Sequence, residues 1–275
     1  MSEKKIKICL DAGHDGKYNR SPANKAYYES DMNWKLHLIL KKYLEQYGIE
    51  VVLTRDNQNT ALGVYDRGKL AKGCDLFVSI HSNATGNGLD ESVDYQVVIV
   101  PLDGSGDKIG NALATCVEEV MGTKQKGRIY KREGNRGEYY GVIRGAVAVG
   151  TVGIIIEHSF HTNTKSTNWL LNDDNLDKMA KEEAKVIADY FGVTKSELTD
   201  TKKEPLTLWY KVELEPEMRI ETLKDYPAYN SVDSAKKGGS TKLTYTAGEY
   251  YVYKVYNGAV NITRHKGIAG AWVVL

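Results

Sequence analysis

Ile6-Lys7-Ile8-Cys9-Leu10-Asp11-Ala12-Gly13-His14-Asp15-Gly16 opens the chain with an apolar, β-branched run that gives way to two glycines and a histidine. A short apolar run bounded this way reads as a strand buried on both faces, emptying into a sharp turn that glycine accommodates without steric cost. Four more runs share the character: Ile49 to Leu53, Leu76 to Ile80, Tyr95 to Val100 and Val152 to Ile156. Between and after them lie segments with apolar residues at i, i+3, i+4 and i+7, the period of a helix with one buried face. Leu36, Ile39, Leu40, Tyr43, Leu44 and Tyr47 form the first, closed by Gly48; Ile109, Leu113, Cys116, Val117 and Val120 the second; Leu176, Met179, Ala180, Glu183, Ile187 and Tyr190 the third. Strands alternating with helices predict an α/β fold, a mostly parallel twisted sheet flanked by helices. Ligands of such sheets gather beyond the carboxyl ends of the strands.

Chemistry-bearing side chains fall at those ends. The first strand delivers His14, the strand Leu76 to Ile80 runs into His81-Ser82-Asn83-Ala84, and the strand Val152 to Ile156 into Glu157-His158-Ser159-Phe160-His161. Glu29, just ahead of the first helix, reaches the same rim. Two imidazoles and a carboxylate, with a fourth position left for water, are the donor set of a catalytic zinc, and a further carboxylate beside them serves as base. Taken singly, each residue has an ordinary reading. A histidine at a strand end is commonly solvated or capping, and Glu29 simply suits the positive end of a helix dipole. Glu157 is harder to explain away, because a carboxylate closing a buried strand costs free energy unless it is paired or bound to a cation. His37, on the first helix, and His265, between Arg264 and Lys266, read as helix and loop residues.

In these motifs the sequence resembles the zinc-dependent N-acetylmuramoyl-L-alanine amidases of the third amidase class. The likeness rests on Asp11-Ala12-Gly13-His14, on Glu29 before the first helix, and on Leu53-Thr54-Arg55. It continues in Ser79-Ile80-His81-Ser82-Asn83-Ala84 and Glu157-His158-Ser159-Phe160-His161-Thr162-Asn163, in order across roughly residues 5 to 192. The resemblance implies Zn2+ held by His14, Glu29 and His81, with Glu157 as general base and acid. It implies hydrolysis by zinc-bound water of the amide between the lactyl group of N-acetylmuramic acid and L-alanine in peptidoglycan. It departs from the family where His158 and His161 replace apolar residues; packing or hydrogen bonding is the reading adopted for both. Asn83 is near enough to His81 to line the cleft. Two rival readings stand beside it: a wall-binding protein that kept the fold and lost catalysis, and a metallopeptidase or deacetylase acting on another bond.

Composition separates the chain into two parts. The full 275 residues hold 37 Lys+Arg and 36 Asp+Glu, a net charge of +1, which gives no bulk attraction to nucleic acid or anionic lipid. Residues 1–200 hold 26 basic and 28 acidic residues and residues 201–275 the other 11 and 8, so the net charges are −2 and +3. Eight of the 19 tyrosines lie in the second part, and its pattern changes to period two, as in Glu249 to Tyr256 followed by Asn257-Gly258 and Ala259 to Ile262. With Lys211 to Leu214, Lys242 to Tyr245 and Ala271 to Leu275 as further strands, and no helical pattern, this tail predicts a small all-β domain. It resembles the SH3-like cell-wall-binding domains that follow such amidases. The expected organisation is a catalytic domain over 1–193, a linker over 194–205 and the β-domain over 206–275. Cys9, Cys74 and Cys116 lie in apolar segments and do not form a disulfide scaffold. No run is long enough to cross a bilayer, and the N-terminus is too weakly apolar for a signal peptide. The expectation is synthesis in the cytoplasm and action on the cell wall after release, as an endolysin or lytic autolysin. Nothing in the sequence speaks to oligomeric state.

Overall fold

The computed structural model describes residues 5–135, 137–194, 219–222, 225–238, 243–246, 248–256, 259–265 and 268–274. The chain divides into two compact units, Met1–Glu197 and Leu198–Leu275.

The first unit contains, in order, β1 (Lys7–Ala12), α1 (Glu29–Gln46), β2 (Glu50–Leu53), α2 (Val64–Lys69), β3 (Leu76–Asn83), β4 (Val97–Ile99) and α3 (Asp107–Met121). It continues with β5 (Arg128–Tyr130), β6 (Glu133–Gly134), β7 (Gly137–Glu138), α4 (Gly141–Ala148), β8 (Gly153–Phe160), α5 (Thr164–Leu170) and α6 (Asp173–Tyr190). Six strands make one sheet in the order β2-β1-β3-β8-β4-β5. All neighbours are parallel except β4 and β8. From β1 the chain moves outward to β2 on one side and then to β3 on the other. The strand order therefore reverses between β1 and β3, which opens a crevice at their carboxyl ends.

The two faces of the sheet are covered unequally. On one, Leu36, Leu40 and Leu44 of α1, Ile109, Leu113 and Val117 of α3, and Met179, Ala184 and Ile187 of α6 pack on Ile8, Leu10, Val78, Ile80, Ile154 and Ile156. Burying each of these aliphatic side chains contributes about 1.5–3 kcal/mol. The other face carries Cys9, Phe77, Val97, Ile99 and Ile155 under Val142, Ile143 and Ala146 of α4. Helices α2 and α4, of 6 and 8 residues, reach about 9 and 12 Å, whereas the eight-residue β3 and β8 reach about 26 Å. They cannot cover the full length of those strands.

Three corrections to the sequence reading follow. Glu29 is the first residue of α1 rather than a residue ahead of it, because the chain turns into the helix directly after Tyr28. Helices α2, α4 and α5 escape periodicity, being too short for two full apolar repeats. Strand β8 continues past Ile156 to Phe160 even though its last residues include Glu157, His158 and Ser159. The three cysteines are buried and unpaired.

The second unit has β9 (Arg219–Thr222), β10 (Tyr226–Ala228), α7 (Val232–Lys237), β11 (Leu243–Tyr245), β12 (Gly248–Tyr256), β13 (Ala259–Thr263) and β14 (Ala271–Val273). Four strands form an antiparallel sheet in the order β14-β13-β12-β9, and β10 pairs with β11. Tyr250, Val252, Val260, Ile262 and Val273 fill its core, while Tyr253 and Tyr256 are exposed. The tail thus contains a helix that its pattern did not announce; Ser231 caps it by accepting from the Ser234 N–H. The expected strand Lys211 to Leu214, the Asn257-Gly258 turn and the linker after Thr194 lie outside the described residues.

Candidate metal centre

His14, Glu29 and His81 converge at the reversal point between β1 and β3, each offering one ligand atom, all within 4.8 Å of one another. Glu29 lies between the two rings. Its Oε2 is 3.2 Å from His14 Nε2 and its Oε1 2.8 Å from His81 Nδ1. Ligand atoms around one tetrahedral zinc at about 2.0–2.2 Å stand roughly 3.3–3.6 Å apart, and the His14–Glu29 distance of 3.2 Å is close to that spacing. The donor set, two neutral-capable imidazoles and a carboxylate, fits zinc.

Local structure explains how these side chains meet. Gly13 tolerates no side chain: a Cβ there would stand 2.2 Å from the His81 ring. The Gly13 oxygen accepts from Asn33 Nδ2 at 3.1 Å, tying the loop to α1. Beneath the loop, the fully buried Asp11 accepts from Thr54 Oγ1 at 2.7 Å and Ser79 Oγ at 2.6 Å. The Ala12 oxygen accepts from Arg55 and, at 3.4 Å, from Arg67. The Leu53-Thr54-Arg55 motif therefore braces the loop that presents His14.

Glu29 is almost fully buried. Burial works against its charge, but hydrogen bonds with His14 and His81, and their charge, hold its carboxyl well below the usual range. Its Oε1 also accepts from the Ser82 N–H at 3.2 Å, and its Oε2 from Asn19 Nδ2 at 2.6 Å. Its place at the start of α1 adds the positive end of the helix dipole.

Glu157 stands opposite His81 in the β3–β8 pairing. Its Oε2 is shut from solvent and has no hydrogen-bond partner among the described residues. Burial and then the Glu29 charge push its carboxyl well above the usual range. Nearby, burial raises the Tyr140 hydroxyl, which Arg132 pulls down by hydrogen bonding and the Glu157 charge raises further.

His37, His158 and His161 are inward-facing and hydrogen-bonded. His158 Nδ1 is 2.9 Å from the His81 oxygen and its Nε2 2.9 Å from Glu183 Oε1. Burial lowers the His158 pKa, but the Glu183 charge and hydrogen bond outweigh it, and the net shift is upward. His161 Nδ1 lies 2.9 Å from Ser82 Oγ, which in turn is 2.7 Å from the Tyr27 hydroxyl. Asn83 turns its Oδ1 to the Ala84 N–H at 2.8 Å. His37 is buried on α1, with Nδ1 donating to the Trp34 oxygen at 2.5 Å, and His265 is exposed.

Sequence reasoning missed Asn19. Its Nδ2 touches Glu29 and lies 3.4 Å from His14 Nε2. His14, Asn19 and Ser159 are the non-glycine residues with left-handed backbones among the described residues, at φ of 60°, 51° and 56°. His14 and Asn19 lie at the site, where such strain characteristically collects, while Ser159 is buried against Asp94 and Ser166.

Residues 8–189 match the family model described as N-acetylmuramoyl-L-alanine amidase. The endolysin of Bacillus phage SPP1 is 28% identical over 202 residues, 68% of this chain and 67% of that protein. The catalytic domain of CwlV, an N-acetylmuramoyl-L-alanine amidase from Bacillus (Paenibacillus) polymyxa var. colistinus, is similar at a TM-score of 0.58. Its identity is 25%, over 69% of this chain and 99% of that domain. An N-acetylmuramoyl-L-alanine amidase from Clostridium difficile 630 shares the fold at a TM-score of 0.59 and 22% identity, over 68% of this chain and 97% of that one. Fold, site and relatives together define an amide-cleaving hydrolase of the bacterial cell wall. The chain belongs to the N-acetylmuramoyl-L-alanine amidase family.

Proposed function

We propose that the first unit is a zinc-dependent amidase that cleaves between the lactyl group of N-acetylmuramic acid and the first L-alanine of peptidoglycan, in the manner of an endolysin or lytic autolysin. His14, Glu29 and His81 would hold the metal. Zinc bound there supplies Lewis acidity toward the scissile carbonyl and makes water acidic enough to attack near neutral pH. Asn19 and the Ser82 N–H fix the Glu29 carboxylate from behind, so the ligand set is ordered before substrate arrives. Glu157 takes the proton of the attacking water and returns it to the departing alanine nitrogen. A buried carboxylate oxygen without a partner among the described residues, on the residue paired opposite His81, is the observation that carries this reading. Digestion of purified peptidoglycan with and without chelator tests it. New alanine amino groups without new reducing sugars, abolished by chelation, are expected; new reducing ends would exclude amidase chemistry.

The second unit, within residues 206–275 and following a linker over 194–205, is proposed as an SH3-like wall-binding module. Its exposed Tyr253 and Tyr256 offer flat amphipathic surfaces suited to sugar rings or peptide stems. Retention of a fragment spanning residues 198–275 on sedimented cell walls is the expected result, and its recovery entirely in the supernatant would remove that assignment.

A further inference from the structure

The chemistry proposed for His14, Glu29, His81 and Glu157 leaves one buried pair unused. His158 and Glu183 are each fully excluded from solvent, with Nε2 and Oε1 2.9 Å apart. The other ring nitrogen, Nδ1, is 2.9 Å from the backbone oxygen of His81. A carbonyl oxygen only accepts, so Nδ1 carries a proton and donates it there. The residue next to Glu157 in sequence thus grips the backbone of the residue opposite Glu157, and α6 grips it in turn through Glu183.

This grip falls where the strand pairing breaks. Strands β3 and β8 run in register from Phe77↔Gly153 to His81↔Glu157, and the next pair is Asn83↔Phe160. Two steps on β3 are matched by three on β8. The result is a bulge that contains His158 and Ser159, of the kind that re-aims side chains beside active sites. Ser159 adopts its left-handed φ of 56° inside this bulge, and its Oγ donates to Asp94 Oδ1 at 2.9 Å. Stability alone gives little reason for such a pair, since buried ion pairs are commonly matched or bettered by apolar residues of similar volume.

We propose that His158 and Glu183 are positioning residues: a brace across β3, β8 and α6 that fixes the spacing between the His81 ligand and the Glu157 carboxylate. The inference rests on the metal reading given above. Its test is zinc affinity, measured by chelator competition on the full chain, beside melting temperature, kcat and KM. Glu183→Gln and the doubly apolar His158→Leu/Glu183→Leu are expected to bind zinc about 10- to 100-fold more weakly. In both, kcat falls while KM is unchanged, and the apolar pair melts near the native temperature. His158→Asn, whose Nδ2–H reproduces the donor to the His81 oxygen, recovers part of the affinity that His158→Leu loses. A folded double variant with native zinc affinity and native kcat overturns the brace, as does equal affinity in His158→Asn and His158→Leu. A native chain that binds no zinc overturns the metal reading, and the brace with it.

Discussion

A carboxylate that must accept a proton and then give it back works best when its two protonation states are close in free energy. In the role proposed for Glu157, burial and then the Glu29 charge raise its carboxyl above the usual range, and a bound cation would draw it back. Glu157→Gln keeps the size and the buried position but cannot take up the proton. The expected outcome is native zinc content, read by metal analysis, with turnover on peptidoglycan fragments reduced about 10²- to 10⁴-fold. Gly13→Ala acts on the other partner. With a Cβ driven 2.2 Å from the His81 ring, the ring or the loop has to shift, and weaker zinc binding with a lower melting temperature is expected. His37, buried on α1, is expected to make stability depend on pH. Burial lowers its pKa from 6.5 to about 4, so between these values the unfolded chain binds the proton and the folded chain does not. Stability therefore falls as pH drops from 6.5 toward 4, by roughly 3 kcal/mol at the lower end. Urea titrations at pH 7 and pH 4.5 should show His37→Gln losing less stability than the native chain. Identical losses would dismiss this dependence on His37.

Among single residues, those legible in the sequence are the ones that strand ends deliver. His14, His81 and Glu157 each follow an apolar run, and topology brings such ends together whatever the loops do. Asn19 was illegible because its contact with Glu29 depends on a left-handed turn that no periodicity encodes. Ser82, His161 and Tyr27 join only through long-range hydrogen bonds.

At the level of elements, the same logic divides what could be read from what could not. Helices α1, α3 and α6 are long enough to repeat an apolar stripe several times, and they build the thick face of the sheet. Helices α2 and α4 pack through glycines instead. A Cβ on Gly68 would come 2.1 Å from the Val142 oxygen, and one on Gly145 2.1 Å from the Tyr65 oxygen. Hydrophobicity patterns are blind to contacts made by the absence of a side chain. Gly145→Ala is expected to destabilise the protein by about 1–3 kcal/mol through overpacking, seen as a lower urea midpoint. Zinc affinity should weaken with it, because α2 carries Arg67, which reaches both Asp11 and the Ala12 oxygen. Unchanged stability would mean that α2 and α4 are free to separate. Strand β8 was read short because polar residues interrupt its apolar run: Glu157 opposite His81, and His158 and Ser159 bonded to Glu183 and Asp94.

For the whole molecule, the change of composition near residue 200 corresponds to two units with separate cores. No helix among the described residues is long and apolar enough to cross a membrane. If the tyrosine-bearing unit tethers the enzyme to its insoluble substrate, it raises local concentration without touching the chemistry. A fragment of residues 1–197 is then expected to match the full chain on soluble muropeptides and to fall behind it on intact cell walls, measured as the ratio of the two rates. An equal ratio would assign the tail some other task. The uneven dressing of the catalytic sheet has a consequence for how a polymer is approached. Helices α2 and α4 are too short to span β3 and β8, so part of that face lies beyond them. If that uncovered part borders the site, a glycan strand bearing its peptide stems is expected to settle on it from the side, at any point along its length. The expectation is then an enzyme that needs no free chain end to begin and cuts a continuous wall in its middle.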